Sequence, residues 1–168
     1  MFVSRNLWTR WRNYLRASAE FAGFEVYTDG SYKEGRGSWA YVIVQKGVVL
    51  QEAAACVRKT SSNRMEFQAA IEALSFLPPD SDVRLYTDSR IMIENVTVQT
   101  EIWKSLGWKK KNQQEIPHVD LFKILAGLNA LHRIHWSWVK AHSGVAHNER
   151  CDQLCVQARQ TQKSYSRN

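Results

Sequence analysis

"VRLYTDSR" at Val83–Arg90 decides the fold, because its ending repeats that of "FEVYTDGS" at Phe24–Ser31. Each is a strand-like run that stops on Tyr-Thr-Asp, with Ser one or two residues beyond. Between them lies "SSNRMEFQAAIEALSFL" (61–77), where Phe67, Ala70, Ile71, Leu74 and Leu77 share one helical stripe and Pro78–Pro79 stop the helix. A strand, a helical crossover and a second strand predict parallel neighbours in one sheet. Asp29 and Asp88 would then stand side by side, since adjacent strands lie about 4.8 Å apart. Two carboxylates so placed repel and raise one another's pKa, a conflict that a hard divalent cation resolves. The plainer alternative is that each Asp merely starts a turn, a position it favours.

The pattern extends in both directions. In "FEVYTD" Phe24, Val26 and Thr28 face one side, and Glu25, Tyr27 and Asp29 the other. "SWAYVIVQ" (38–45) and "VVLQEAAACV" (48–57), joined by Lys46–Gly47, read as an antiparallel hairpin. After "RLYTD", short helical pieces run to Trp103. "VDLFKILAGLNAL" (119–131) reads as a helix, "RIHWSWVK" (133–140) as a strand, and "HNERCDQLCVQARQ" (147–160) as a last helix with Cys151, Leu154, Cys155 and Ala158 on its buried stripe. Three strands followed by alternating α and β elements predict one α/β domain, a mixed sheet flanked by helices over 24–160, with a polar tail over 161–168.

Composition narrows the partners. The 168 residues carry a net charge of +7, which suits an anionic partner such as nucleic acid. Cys56, Cys151 and Cys155 form no CxxC pair and cannot all pair with one another, which points to a reducing, intracellular compartment. No apolar run approaches the length of about 18–20 residues that a membrane-spanning helix needs. Residues 1–23 differ from the rest. Arg5, Arg10, Arg12 and Arg16 precede the first acid, Glu20, while Leu7, Trp8, Trp11, Tyr14 and Leu15 recur at helical spacing. A basic amphipathic helix is expected there, either a mitochondrial presequence or a docking arm. Cytoplasm and mitochondrion both fit.

Two further carboxylates join the aspartates. Glu66 in "NRMEF" stands three residues after Asn63, the spacing of a capping box, and that local reading competes with a metal-binding one. Asp152 in "NERCDQ" follows His142 by ten residues. His147, Cys151 and Cys155 at i, i+4 and i+8 offer a rival zinc reading, which lacks a closing fourth ligand.

In order, "YTDGS", "SNRMEFQAA", "LYTDS", "WVKAHSG" and "NERCDQL", together with "GWKKKN" and "VDLF", resemble the type 1 ribonuclease H family. The resemblance spans about Phe24 to Arg159. It implies a five-stranded mixed sheet with flanking helices, and cleavage of the RNA strand of RNA–DNA hybrids. It implies two Mg²⁺ ions (Mn²⁺ also possible) on Asp29, Glu66, Asp88 and Asp152, about 3.5–4 Å apart in sites of this type. Asp29 would bridge them, and His142 would assist proton transfer or product release. Beside the metals, the Gly30 and Ser31 backbone, Ser62, Asn63 and Arg90 are candidates to read the RNA 2′-hydroxyls. The family's basic protrusion corresponds to "WKSLGWKKKNQQ", where Trp103 and Trp108 interleave with Lys104, Lys109, Lys110 and Lys111 to grip the DNA strand.

The chain departs from the family pattern at Ala141 (commonly Gly), Arg90 (commonly Gln) and Ser62 (commonly Asn), and its turn after "DGS" is poorer in glycine. These differences touch substrate contacts rather than ligands. No separate hybrid-binding domain is expected within residues 1–23, and a monomer is expected unless the arm docks on a partner. Two other classes remain: a structural module of this fold in a ribonucleoprotein assembly, or another two-metal nuclease such as a junction resolvase.

Overall fold

In the computed structural model, residues 22–161 and 165–167 are described, so the arm expected over residues 1–23 lies almost wholly outside them. Strands β1 (Phe24–Lys33), β2 (Arg36–Gln45) and β3 (Val48–Arg58) form an antiparallel meander. Its two-residue turns, Glu34–Gly35 and Lys46–Gly47, have φ of 53°, 77°, 51° and 77°. Both central residues of a type I′ turn need positive φ, which the right-handed twist of a hairpin favours.

Helix α1 (Ser62–Phe76) then crosses over to β4 (Asp82–Thr87). Next come α2 (Arg90–Glu94), a π-helical turn at Asn95–Gln99 and α3 (Thr100–Ser105). Helix α4 (Val119–Leu131), β5 (Arg133–Trp138) and α5 (Ala146–Thr161) follow. The strands lie in the order β5-β4-β1-β2-β3-β6, with β1, β4 and β5 mutually parallel. This is the expected five-stranded mixed sheet, plus one strand. The addition is β6 (Tyr165–Arg167), which pairs antiparallel with Glu52–Ala54 of β3. The segment expected as a polar tail thus contains a strand, because the free edge of β3 offers unpaired backbone groups to any extended segment within reach.

Both faces of the sheet are covered. Val26, Ile43, Leu85 and Val83 pack beneath α1 and α4 with Phe67, Leu74, Phe122 and Leu125. Tyr27, Val42, Val44 and Ala54 pack beneath α5 with Cys151, Leu154, Cys155 and Ala158. Alternation therefore sorted β1 correctly by face, while both its faces are interior. Polar forks tie the elements together: Arg150 of α5 donates to both oxygens of Glu52 on β3 at 2.9 and 2.8 Å, and Arg64 of α1 donates to both oxygens of Asp120 on its neighbour α4. Among the described residues no helix is long and apolar enough to cross a membrane.

Candidate active site

The two Tyr-Thr-Asp endings lie in register. Tyr27 pairs with Tyr86 across the parallel strands, and their rings stack with centroids 4.8 Å apart. Thr28 and Thr87 are wholly buried. The Thr28 hydroxyl donates to the Tyr86 carbonyl at 3.4 Å, and the Thr87 hydroxyl accepts from the Ser89 amide at 3.1 Å. Tyrosine and threonine thus fix the strand ends, and the two aspartates emerge together at the margin of the sheet.

Glu66 arrives from α1 because glycine stands at position 30. A Cβ there would collide with the Met65 and Glu66 backbone, so only glycine lets the strand touch the helix. The capping-box alternative is overturned. The N-cap is Ser61, whose hydroxyl accepts from the Arg64 amide at 3.3 Å, and Glu66 lies in the second turn, past cap reach. Glu66 is instead buried, and its Oε2 has no hydrogen-bond partner.

Carboxylate oxygens of Asp29, Glu66 and Asp88 lie within 4.8 Å of one another. Burial, then the charges of Asp88 and Asp152, push the Asp29 carboxyl up to about 6. Burial and the charges of Asp29 and Asp88 push Glu66 well up, against a hydrogen bond from the Gly30 backbone. Burial raises Asp88 too, opposed by its backbone hydrogen bond and by His142. Asp152, half-buried on α5, stands outside the group of three yet acts electrostatically on both aspartates. A set of oxygen donors this crowded, one of them buried without a partner, fits a hard divalent cation.

Known proteins agree with this arrangement. Residues 22–160 match the family model for RNase H. The chain is 42% identical over 136 residues to a ribonuclease H of Aeromonas salmonicida, covering 80% of this chain and 88% of the relative. It is 39% identical over 131 residues to a ribonuclease HI of Pseudomonas aeruginosa, covering 77% and 88%.

The chain belongs to the RNase H family.

Among solved structures this RNase H resembles LC9-RNase H1, a type 1 RNase H with the type 2 active-site motif, at a TM-score of 0.73 and 26% identity over 84% of this chain and 74% of that one. LC11-RNase H1, solved with an RNA/DNA hybrid, shares the fold at a TM-score of 0.59 and 20% identity over 80% and 98%. As an RNase H the chain is a metal-dependent endoribonuclease.

The remaining candidates divide by place. His142 is exposed on the loop between β5 and α5, with φ of 50°, near enough to Asp88 to oppose its raised pKa. Ser62 and Asn63 are exposed in the first turn of α1. The Ser31 hydroxyl is engaged by Arg159 and Ser38, and its backbone lies in register with Ser38 of β2. The Arg90 guanidinium lies 4.0 Å from the centre of the Trp138 ring, and Trp138 Nε1 donates to the Asp88 carbonyl at 3.0 Å. Trp138 did not figure among the sequence candidates, although its place at the end of "RIHWSW", in register with Thr87, marks the same margin.

Lys109 and Glu115 pair as the base of a small hairpin, closed by Lys110–Gln114 and Gln113–Lys110 backbone bonds. Trp103 and Trp108 pack against the core beneath it, Trp103 on Phe122 with centroids 5.0 Å apart. Lys123 lies over Trp108. The indoles anchor the hairpin, and Lys109 and Lys111 are exposed on it. The zinc reading fails. Cys151 and Cys155 are buried thiols, pushed up by that burial, that donate to the carbonyls of Tyr27 and Asp29. Among the described residues the only cluster suited to a metal is the carboxylate one.

Proposed function

We propose that this chain hydrolyses the RNA strand of RNA–DNA hybrids, using two divalent cations, Mg²⁺ or alternatively Mn²⁺, held by Asp29, Glu66, Asp88 and Asp152. The observation that carries this reading is the convergence of the Asp29, Glu66 and Asp88 carboxylates from three elements to within 4.8 Å. When bound, such cations supply an activated water and stabilise charge on the leaving oxygen of the phosphodiester. Asp29, which feels the charges of Asp88 and Asp152 and acts on Glu66, would be the shared ligand, and Glu66, Asp88 and Asp152 would complete the donor set. His142, on an exposed loop, moves a proton at the site or eases product departure. The Gly30 and Ser31 backbone, Ser62, Asn63 and Arg90 line the RNA side. The hairpin of Lys109, Lys110 and Lys111 takes phosphates of the DNA strand, with Trp103 and Trp108 holding it in place. With none of its three cysteines joined in a disulfide, the enzyme suits a reducing compartment, cytoplasmic or mitochondrial, and acts as a monomer unless residues 1–23 dock on a partner.

The test is cleavage of a labelled hybrid beside duplex DNA, duplex RNA and a four-way junction, in Mg²⁺ or EDTA. Only the hybrid should be cut, in its RNA strand and with metal present. Asp88→Asn and Glu66→Gln should lower the rate by several orders of magnitude, on the order of what loss of metal assistance costs, with the fold intact. Junction cleavage, or Glu66→Gln activity equal to wild type, would sink the reading.

A further inference from the structure

Trp138 closes β5 at the margin of the carboxylate site, and the proposed chemistry makes no use of it. It pairs in register with Thr87, and the Val139 amide donates to the Thr87 carbonyl at 3.0 Å, so β5 holds the strand end that carries Asp88. The indole is 43% exposed, yet its N–H and one face are engaged. Nε1 donates to the Asp88 carbonyl at 3.0 Å, and the ring carries the Arg90 guanidinium 4.0 Å from its centre. Arg90 is exposed, and among the described residues no carboxylate pairs with it.

An exposed arginine ordinarily samples many rotamers. Contact with an indole face restrains the guanidinium and consumes none of its N–H donors, which all lie in the guanidinium plane. The same indole is bonded to the backbone of Asp88, so guanidinium and carboxylate are set in one frame. A positively charged fork of donors matches a phosphate better than the neutral amide of the glutamine that the family pattern commonly has at this position. We infer that Trp138 is a positioning residue for substrate, presenting Arg90 to a phosphate of the RNA strand next to the one that is cut. The strand follows from place: Arg90 stands two residues after Asp88, and the carboxylates must meet the strand that they cleave.

This inference rests on the proposed cleavage of hybrids, and the experiment separates the two. Cleavage of a labelled hybrid by the full chain in Mg²⁺ is followed at several salt concentrations, with urea melts reporting the fold. Arg90→Gln should raise KM by roughly ten-fold, the low end for hydrogen bonds to charged groups, and flatten log KM against log salt by about 0.7–0.9. Trp138→Leu should raise KM by roughly two- to five-fold, as loss of an exposed cation–π contact does, with kcat near wild type. In the Arg90→Gln background the same change should add nothing to KM. Trp138→Phe, which keeps a ring face and loses the N–H, should stay within about two-fold of wild type in KM. An equal rise in KM from Trp138→Leu in both backgrounds would report strand packing and overturn the inference, as would a Trp138→Phe as impaired as Trp138→Leu. An unchanged salt slope in Arg90→Gln would overturn the phosphate contact. If Trp138→Leu fails to fold, Arg90→Lys decides: lysine keeps the charge without the planar fork, so KM should rise while the slope stays at wild type, and a wild-type KM overturns the presentation. A wild type that cuts no hybrid would instead overturn the reading of the site itself, and this inference with it.

Discussion

Without metal, Asp29 holds its proton up to about pH 6, against an ordinary value of 3.8, because its charge is poorly solvated and faces Asp88 and Asp152. The folded protein then binds that proton more tightly than the unfolded chain does. The resulting penalty on stability is absent below the ordinary value of 3.8 and complete above about 6. A shift of this size corresponds to on the order of 3 kcal/mol. Glu66 shifts in the same direction. In EDTA the urea midpoint should therefore fall as pH rises through that window, and Mg²⁺ should restore stability above it while doing little below. A midpoint that climbs through the window in EDTA, indifferent to Mg²⁺, would contradict the crowding of these groups. The aspartates were legible in the sequence because the same strand ending recurs on both sides of a helical crossover, which parallel pairing turns into adjacent carboxylates. Glu66 was ambiguous, since its spacing from Asn63 suits a cap and only the contact with Gly30 shows that it is buried. The bond from Arg159 to the Ser38 hydroxyl was not legible at all, since the two residues are 121 apart in the chain and meet only through folding.

The lysine hairpin makes a claim that its salt dependence can test. Each lysine on a DNA phosphate releases a condensed counterion, so replacing Lys109, Lys110 and Lys111 by Ala should flatten log K against log salt by about 0.7–0.9 for each lysine replaced. The catalytic constant at saturating hybrid should stay near wild type. An unchanged slope would place the grip elsewhere. The element boundaries that could be read were those with a strong period or a hard stop. Helix α4 spans the periodic stretch residue for residue, and α1 ends just before its two prolines. Two features could not be read. Ser61, Ser62 and Asn63 are all capping types, and composition alone does not say that Ser61 caps. The π-helical turn, where the Thr100 hydroxyl donates to the Asn95 carbonyl at 2.8 Å, has no signature in a hydrophobic pattern.

The family match begins at residue 22, and at that boundary the Ala22 carbonyl accepts a hydrogen bond from the Gln45 side chain at 3.2 Å. Deleting residues 1–21 should therefore leave the hybrid cleavage rate and the salt slope as they are, if the arm serves as a presequence or docking helix. A flattened slope on this deletion, with none from the lysine changes, would give the nucleic-acid grip to the arm. The architecture was legible because strand and helix periods alternate cleanly; β6 was not, because three residues carry no period. One consequence of the architecture concerns translation. Asp152, Cys155 and Arg159 all sit on α5, whose thiols and guanidinium reach β1 across 124 to 128 residues of chain. While a ribosome is still making the molecule, β1 to β3 have no helix over Tyr27, Val42 and Ala54, and Asp29 has no Asp152 beside it. Such distant pairing closes late. A product cut short before α5 would thus lack Asp152 and leave the face of Tyr27, Val42 and Ala54 uncovered, so it should not cut the hybrid.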